Sequence, residues 1–158
     1  MAPSPAFDQA RRLYLDDLQV GQRFTSGTHA IDEAQIKAFA RQFDPQPFHV
    51  DGEAATASLF GRLVASGWHT AAITMRLLTE SVLIDNGVIG AGGDIAWPRP
   101  TLPGDILSVT SVIEEITPSR SRPDRGIVRM RSGTRNQRDE VVQVLNSRLA
   151  VLRRSETP

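Results

Sequence analysis

The chain has 158 residues, 40% of them hydrophobic and 23% charged, as in a globular protein with one domain. Its formal net charge of zero disfavours electrostatically driven binding to nucleic acid. The absence of cysteine excludes disulfides, thiolate nucleophiles and cysteine-ligated metal. No signal peptide is visible, and no run approaches the roughly 18 apolar residues of a membrane span, so we expect a cytoplasmic protein without membrane partners.

The first half of the chain predicts helices between short extended stretches. Residues 1–13 resemble a flexible arm, residues 14–152 form the predicted domain, and residues 153–158 form a tail. After an extended stretch over 23–31, Asp32 and Gln35 have the spacing of a capping box and start a helix over 33–43. Pro45 ends this helix, because the residue before a proline is disfavoured in helical conformation.

Two further helices are predicted after a rigid, non-helical proline segment. The first runs from Glu53 to about Leu59, and the second, the longest in the chain, runs from Trp68 to Asp85. The apolar residues of the long helix extend well around its circumference, so we expect it to be largely buried. The positions that define its predicted inner face are Ala71, Ala72, Met75, Leu78 and Val82.

The C-terminal half changes to strand periodicity. Residues 88–98, 105–117, 126–137 and 140–154 are β-rich runs separated by turn residues. Apolar and basic residues alternate in IVRMRSGTR, as on a strand with one buried face. The predicted class is therefore α+β, with an antiparallel sheet wrapped around one long central helix.

Asp44 and His49 are the first candidates for chemistry. They flank Pro45 and Pro47, and prolines lower the entropy lost when a segment is ordered. If both side chains face one cavity, they can hold a water molecule and act as an acid–base pair. The alternative is simple turn chemistry, in which the two side chains have no common task.

Ser66 and Gly67 precede the long helix and are candidates for an oxyanion site. The first backbone N–H groups of a helix lack internal partners, and glycine lets a carbonyl approach the backbone closely. The alternative is an ordinary helix cap. A serine-hydrolase interpretation of Ser66 is weak, because VASGW lacks the full G-x-S-x-G pattern.

The other chemistry-bearing residues have structural interpretations that we favour. We expect His29 and His69 to be packed or hydrogen-bonded, and no set of metal ligands can be assembled. Glu80 is expected on an exposed helix face. We expect Arg62 and Arg99 to be solvated, with contacts to phosphate as the alternative. We expect Trp68 and Trp97 to be packed in the core, with contacts to a cofactor as the alternative.

From about Tyr14 to Leu152 the chain resembles the MaoC-like dehydratases, a family of hotdog-fold proteins that includes (R)-specific enoyl-CoA hydratases. Three segments carry the resemblance in order and spacing: YLDDLQVGQRF, FDPQPFHVDGEAATASLFGRLVASGWHT and RPTLPGDIL. The resemblance implies the hotdog fold, in which the sheet wraps around the central helix.

The hydratase motif of that family has the form D-x-N-P-aliphatic-H, followed by a small residue. Asp44, Pro47 and His49 occupy the matching positions, and Ala55 fits the small residue. The resemblance implies that Asp44 and His49 hold the water that adds to a trans-2-enoyl thioester. It also implies that Ser66 lies at the site and that the Gly67 N–H binds the thioester oxygen.

The chain departs from the family pattern at several positions. Gln46 replaces the asparagine of the motif, and Phe43 stands where a small residue is usual. Phe48 and Trp68 are bulky where aliphatic residues are common, so we expect Gln46, Phe48 and Trp68 to shape the substrate pocket. These changes put the identity of the substrate in question.

The leading hypothesis is an enoyl-thioester hydratase/dehydratase that makes a 3-hydroxyacyl thioester from a CoA or carrier-protein substrate. This acid–base chemistry requires no metal or redox cofactor, and CoA is part of the substrate. The alternatives are a hotdog acyl-CoA thioesterase, with Glu80 or Asp44 activating water, and a non-catalytic acyl-thioester-binding subunit. A sheet with an open edge also predicts a homodimer or higher homo-oligomer.

Overall fold

The computed structural model describes residues 11–155. A short 3₁₀ turn at Leu15–Asp17 precedes the regular elements. In chain order these are β1 (Arg23–Ala30), α1 (Glu33–Phe43), α2 (Pro47–Val50), α3 (Gly52–Thr56), α4 (Gly67–Ser81), β2 (Ile89–Ala96), β3 (Ile106–Pro118), β4 (Arg125–Arg135) and β5 (Val141–Leu152). Within 11–155, no helix is both long enough and apolar enough to cross a bilayer.

The strands form one antiparallel sheet in the order β1-β3-β4-β5-β2. Helix α4 packs on one face of this sheet, where Ile73, Leu77 and Leu78 share a hydrophobic cluster with Val109 and Val128. The predicted α+β class, with a sheet wrapped around one long helix, is confirmed. Strand β2 lies at one edge of the sheet, so within residues 11–155 one row of its backbone groups has no neighbouring strand.

The alternation predicted for β4 is confirmed. Val128, Met130 and Ser132 are buried, whereas Arg129 and Arg131 between them are exposed. Successive side chains of a strand point to opposite faces of the sheet, so the buried residues of β4 lie on the inner face, on the same side as α4.

Helix α1 has the predicted bounds. The Asp32 carboxylate accepts a hydrogen bond of 2.8 Å from the backbone N–H of Gln35, and Asp44 caps the other end by donating its N–H to the carbonyl of Ala40. The end of α1 thereby fixes the backbone position of Asp44.

The prediction of a non-helical proline segment was wrong for residues 47–50. These residues form the single turn α2, with Pro47 in its first turn. Proline is well tolerated there, because the first N–H groups of a helix have no internal acceptor. The next helix, predicted to start at Glu53, starts at Gly52, because the Asp51 carboxylate accepts from the N–H of Glu53 and caps α3.

The predicted bounds and inner face of the long helix were partly wrong. It ends at Ser81 rather than Asp85, and Ala72 and Met75 are exposed. A threonine takes the inner position instead, since the buried hydroxyl of Thr74 pairs with that of Thr134 on β4 at 2.7 Å. A buried hydroxyl with a partner is well tolerated, which an apolar pattern alone does not reveal.

The ends of the described chain are tied to the domain. Leu13, at the end of the predicted arm, forms a parallel bridge with Ile84, whereas residues 1–10 of that arm lie outside the described residues. Near the C-terminus, Arg153 and Arg154 pair with Asp16 and Asp17 at 2.8 and 2.6 Å.

Candidate active site

A cavity of about 450 Å³ opens at the N-terminus of α4. Its walls are the end of α1, helix α2, the first residues of α4 and the segment 97–101. Asp44, His49 and Gly67 all line it, and so do Gln46, Phe48 and Trp68. Ser66 lies directly behind, with no accessible surface.

The His49 ring is buried and held in one orientation. Its Nδ1 lies 2.7 Å from the carbonyl oxygen of Val64. Because a carbonyl only accepts hydrogen bonds, Nδ1 carries the hydrogen, and Nε2 of the neutral ring keeps a free lone pair. That Nε2 lies 3.4 Å from Oδ2 of Asp44. The one-turn helix α2 thus turns the basic nitrogen of His49 towards the carboxylate.

The Asp44 carboxylate receives hydrogen bonds from both sides. Ser66 Oγ donates to Oδ2 at 2.7 Å, and Gln46 Nε2 donates to Oδ1 at 2.7 Å. Burial by itself raises the pKa of Asp44, but the hydrogen bonds from Ser66 and Gln46, together with the nearby His49, outweigh it and lower the pKa. Asp44 is therefore ionised at neutral pH.

The Gln46 departure from the family motif has a local structural explanation. The longer amide reaches the carboxylate of Asp44 itself and so stabilises its charged form. Phe43 does not fill the site, because its ring is largely exposed and packs on Phe39 at a centroid distance of 5.1 Å. Phe48 does face the cavity, where its ring meets the edge of His49.

Gly67 supplies a backbone donor at the mouth of α4. The hydroxyl of Ser66 accepts from the N–H of Trp68, and the carbonyl of Ser66 accepts from the N–H groups of His69 and Thr70. Among residues 11–155, the N–H of Gly67 donates to no acceptor. Ser66 is therefore the helix cap, and Gly67 leaves a donor at the positive end of the helix.

Trp97 lines the cavity and is held by Gln143, a pairing that sequence reasoning did not find. The Trp97 ring lies so close to Gly67 that a Cβ added there would be 2.7 Å from Trp97 Cε2. The buried Gln143 accepts a 2.9 Å hydrogen bond from the Trp97 indole. The expectation that Trp68 and Trp97 are core residues was wrong, since both are exposed at the cavity and meet edge to face at 5.2 Å.

The remaining candidates are separated from this cavity, with one exception. Glu80 is exposed and paired with Arg76 at 3.0 Å, and His29 bonds to Gln35 at 2.9 Å. His69 is buried and stacked on Phe39, and its Nδ1 has no hydrogen-bond partner within the described chain. The exception is Arg99, which lines the cavity, whereas Arg62 does not.

The convergence of Asp44 and His49 defines what the site can bind. A neutral Nε2 and a carboxylate oxygen are both hydrogen-bond acceptors, so neither donates to the other. Water has two O–H groups and can donate to both at once. No group of three or more metal-ligating His, Asp or Glu side chains is found among residues 11–155.

A protein-family model described as "MaoC like domain" matches residues 17–134 of the chain. The chain belongs to the MaoC-like family. Its relatives include the protein YdeM of Bacillus subtilis, which is 32% identical over 141 residues, 87% of this chain and 96% of that protein. The resemblance stated from the sequence is thereby confirmed.

Solved structures of MaoC-like proteins confirm the hotdog fold. A MaoC-like dehydratase from Rhodospirillum rubrum is 58% identical, with a TM-score of 0.89 over 91% of this chain and 99% of that one. The R-hydratase PhaJ1 from Pseudomonas aeruginosa is 25% identical, with a TM-score of 0.75 over 93% of this chain and 94% of that one. This MaoC-like chain therefore has a hydratase or dehydratase architecture along nearly its whole length.

Proposed function

We propose that this MaoC-like protein is an enoyl-thioester hydratase/dehydratase, with Asp44 and His49 as its catalytic residues. The observation that carries the proposal is the convergence of two acceptors, Asp44 Oδ2 and His49 Nε2, in a cavity where the Gly67 N–H is a free donor. Hydration of an enoyl thioester needs both features: a base beside the attacking water and a donor for the developing oxyanion.

The proposed reaction begins with the thioester carbonyl at the N–H of Gly67. Water held by Asp44 and His49 attacks C3, and His49 Nε2 accepts one of its protons. The π electrons of the C2–C3 double bond move towards the carbonyl, and the enolate oxygen is stabilised by the Gly67 N–H and the start of α4. The proton held by His49 Nε2 then passes to C2, so the net change is the addition of one water molecule.

The geometry supports separate tasks for the two catalytic residues. The pKa of Asp44 is lowered, so this carboxylate stays charged and orients the water rather than supplying a proton at neutral pH. The Val64 carbonyl holds Nδ1–H of His49, so Nε2 is the nitrogen that accepts and returns the proton. Because the same transition state serves both directions, the enzyme would also dehydrate 3-hydroxyacyl thioesters.

A crotonyl-CoA assay tests the proposal. Purified protein should consume the enoyl thioester and produce 3-hydroxybutyryl-CoA, identified by mass spectrometry, without releasing free thiol. Release of CoA from saturated acyl-CoA would instead support the thioesterase alternative. The structure removes Glu80 from that alternative, since this carboxylate is exposed and paired with Arg76 outside the cavity.

A homodimer is part of the proposal. Strand β2 lies at a sheet edge, and the apolar side chain of Ile89, its first residue, is exposed on the single chain. Burial of this edge and of Ile89 by a second copy would satisfy both features. Light scattering at micromolar concentration should report twice the mass of one chain or more. The cytoplasmic location and the acyl-CoA or carrier-protein form of the substrate stay predictions.

A further inference from the structure

Trp68 lies between two cavities. It lines the cavity that contains Asp44 and His49, and it also lines a second cavity of about 320 Å³. The second cavity runs between α4 and strands β2 and β5. Trp68 is thus the one residue that the linings of the two cavities share.

The second cavity is lined mainly by hydrocarbon. Besides Trp68, its apolar walls come from α4, from β2 and the residue before it, and from β5. These side chains belong to Met75, Leu78, Val88, Ile95, Leu145 and Leu149. Such a lining suits an alkyl chain, because binding removes the apolar surface of both the chain and the cavity from contact with water.

The position of Trp68 is supported by a second indole. Trp97 meets Trp68 edge to face at 5.2 Å and 81°. Trp97 is itself fixed by the 2.9 Å hydrogen bond from its indole N–H to Gln143, a residue with no accessible surface. The ring also lies against Gly67, where a side chain would collide with it. Trp97 and Gln143 therefore act as positioning residues for Trp68.

We propose that Trp68 determines acyl-chain length by closing the catalytic cavity off from the second one. The proposal rests on the proposed function, since it describes where the acyl group of the thioester lies. Trp68 follows Gly67 directly, so an acyl chain whose carbonyl is bound at the Gly67 N–H meets the Trp68 indole soon after its reacting carbons. The natural substrate is then a short enoyl thioester, and a long chain is excluded by the indole.

The charged residues of the two cavities favour the same orientation of the substrate. Arg99 lines the catalytic cavity but not the second one, whose lining has Asp94 as its single ionisable side chain. An anionic CoA or phosphopantetheine arm is therefore favoured on the Arg99 side, and the apolar acyl end on the Trp68 side.

Substitution of Trp68 by alanine tests the proposal. In wild-type protein, kcat/KM should fall steeply from crotonyl-CoA through octenoyl-CoA to dodecenoyl-CoA. In W68A the ratio of kcat/KM for dodecenoyl-CoA to that for crotonyl-CoA should rise by at least about tenfold. W68F should keep most of the short-chain preference. Because Trp68 is 60% exposed, its truncation is compatible with folding, which circular dichroism can verify.

Met75→Ala is the matched control. Met75 lines the second cavity alone and is also partly exposed, so its truncation enlarges that cavity without removing Trp68. The chain-length ratio of M75A should equal that of the wild type. A folded W68A protein with the wild-type ratio, or an equal change in M75A, would overturn the proposal.

A binding measurement separates this inference from the proposed reaction. Calorimetry with saturated butyryl-CoA and lauroyl-CoA involves no chemistry, and W68A should gain affinity for lauroyl-CoA relative to butyryl-CoA. If the wild type hydrates no enoyl thioester but W68A gains this affinity, the proposed reaction fails and the role of Trp68 stands. If no acyl-CoA binds to either protein, the role of Trp68 is refuted as well.

Discussion

Ser66 Oγ donates a hydrogen bond of 2.7 Å to Oδ2 of Asp44, the same oxygen that lies 3.4 Å from His49 Nε2. The same Ser66 oxygen accepts from the N–H of Trp68 and caps α4. One hydroxyl therefore links the Asp44 carboxylate, the proposed holder of the water, to the helix that presents the proposed oxyanion donor. This link fixes the two halves of the candidate site relative to each other.

Removal of the acid–base pair should abolish most of the activity. Asp44→Asn keeps the shape of the side chain but removes its charge, and His49→Ala removes the base. Each should lower the rate of crotonyl-CoA hydration by at least about 10²-fold. Asp51→Asn is the matched control, since Asp51 is a nearby carboxylate that caps α3 and asparagine caps a helix equally well. Wild-type rates in both Asp44→Asn and His49→Ala would contradict the proposed mechanism.

Ser66→Ala should change both stability and pH dependence. Loss of the cap of α4 should lower the free energy of unfolding by about 1 kcal/mol, measured by urea denaturation. Loss of the hydrogen bond to Asp44 should raise the pKa of that carboxyl, because the bond stabilises its charged form. Carbon-13 NMR should then show this carboxyl titrating at higher pH than in the wild type. A stability change with an unmoved carboxyl titration would show that Ser66 is only a cap.

Gly67→Ala should displace Trp97. The new Cβ would lie 2.7 Å from Trp97 Cε2, so the ring must move away from its position beside the Gly67 N–H, the proposed oxyanion donor. We expect hydration to fall by about 10²-fold, as for other misplacements of about 1 Å at an active site. The only tryptophans of the chain are Trp68 and Trp97, so the emission spectrum should shift as well.

Gly52→Ala provides the control for this steric effect. A Cβ at Gly52 meets no atom within 4 Å, and this glycine begins the neighbouring helix α3. Its substitution should leave rate and fluorescence at wild-type values. The double variant Gly67→Ala/Trp97→Leu should recover part of the lost rate, whereas no recovery would mean that the Gly67 backbone itself had been distorted.

The buried His69 should make the folded protein less stable in mild acid. Burial, and then the nearby His29, lower the pKa of His69 from 6.5 to about 4. Between these values the unfolded chain takes up a proton that the folded chain does not, so folding becomes less favourable as the pH falls from 6.5 towards 4. The loss amounts to about 3 kcal/mol at most. Below this window, carboxylates with lowered pKa values, such as Asp44, add a further loss.

His69→Phe should remove the His69 part of this pH dependence. A phenyl ring can keep the stack on Phe39, whose centroid lies 4.5 Å from that of His69. Urea denaturation of both proteins at pH 7 and at pH 4.5 measures the difference. Equal losses of stability in wild type and variant would contradict a buried, neutral His69.

The sequence by itself determined the features that depend on near neighbours. The cap of α1 by Asp32, the strand alternation of β4 and the choice of Asp44 and His49 all follow from residues a few positions apart. Ser66 and Gly67 were chosen from their position before the long helix, and the family resemblance implied their roles. Local backbone preferences and side-chain periodicity operate over such distances, so they can be read from the chain.

Tertiary structure alone decided the contacts between distant residues. Ser66 meets Asp44 across 22 positions, and Trp97 meets Gln143 across 46 positions. The inner face of α4 was misjudged for the same reason, because Thr74 became a core residue only through the hydroxyl of Thr134 on a strand 60 positions away. A buried polar group is stable only when its partner is in place, and the folding of the sheet around α4 brings these partners together.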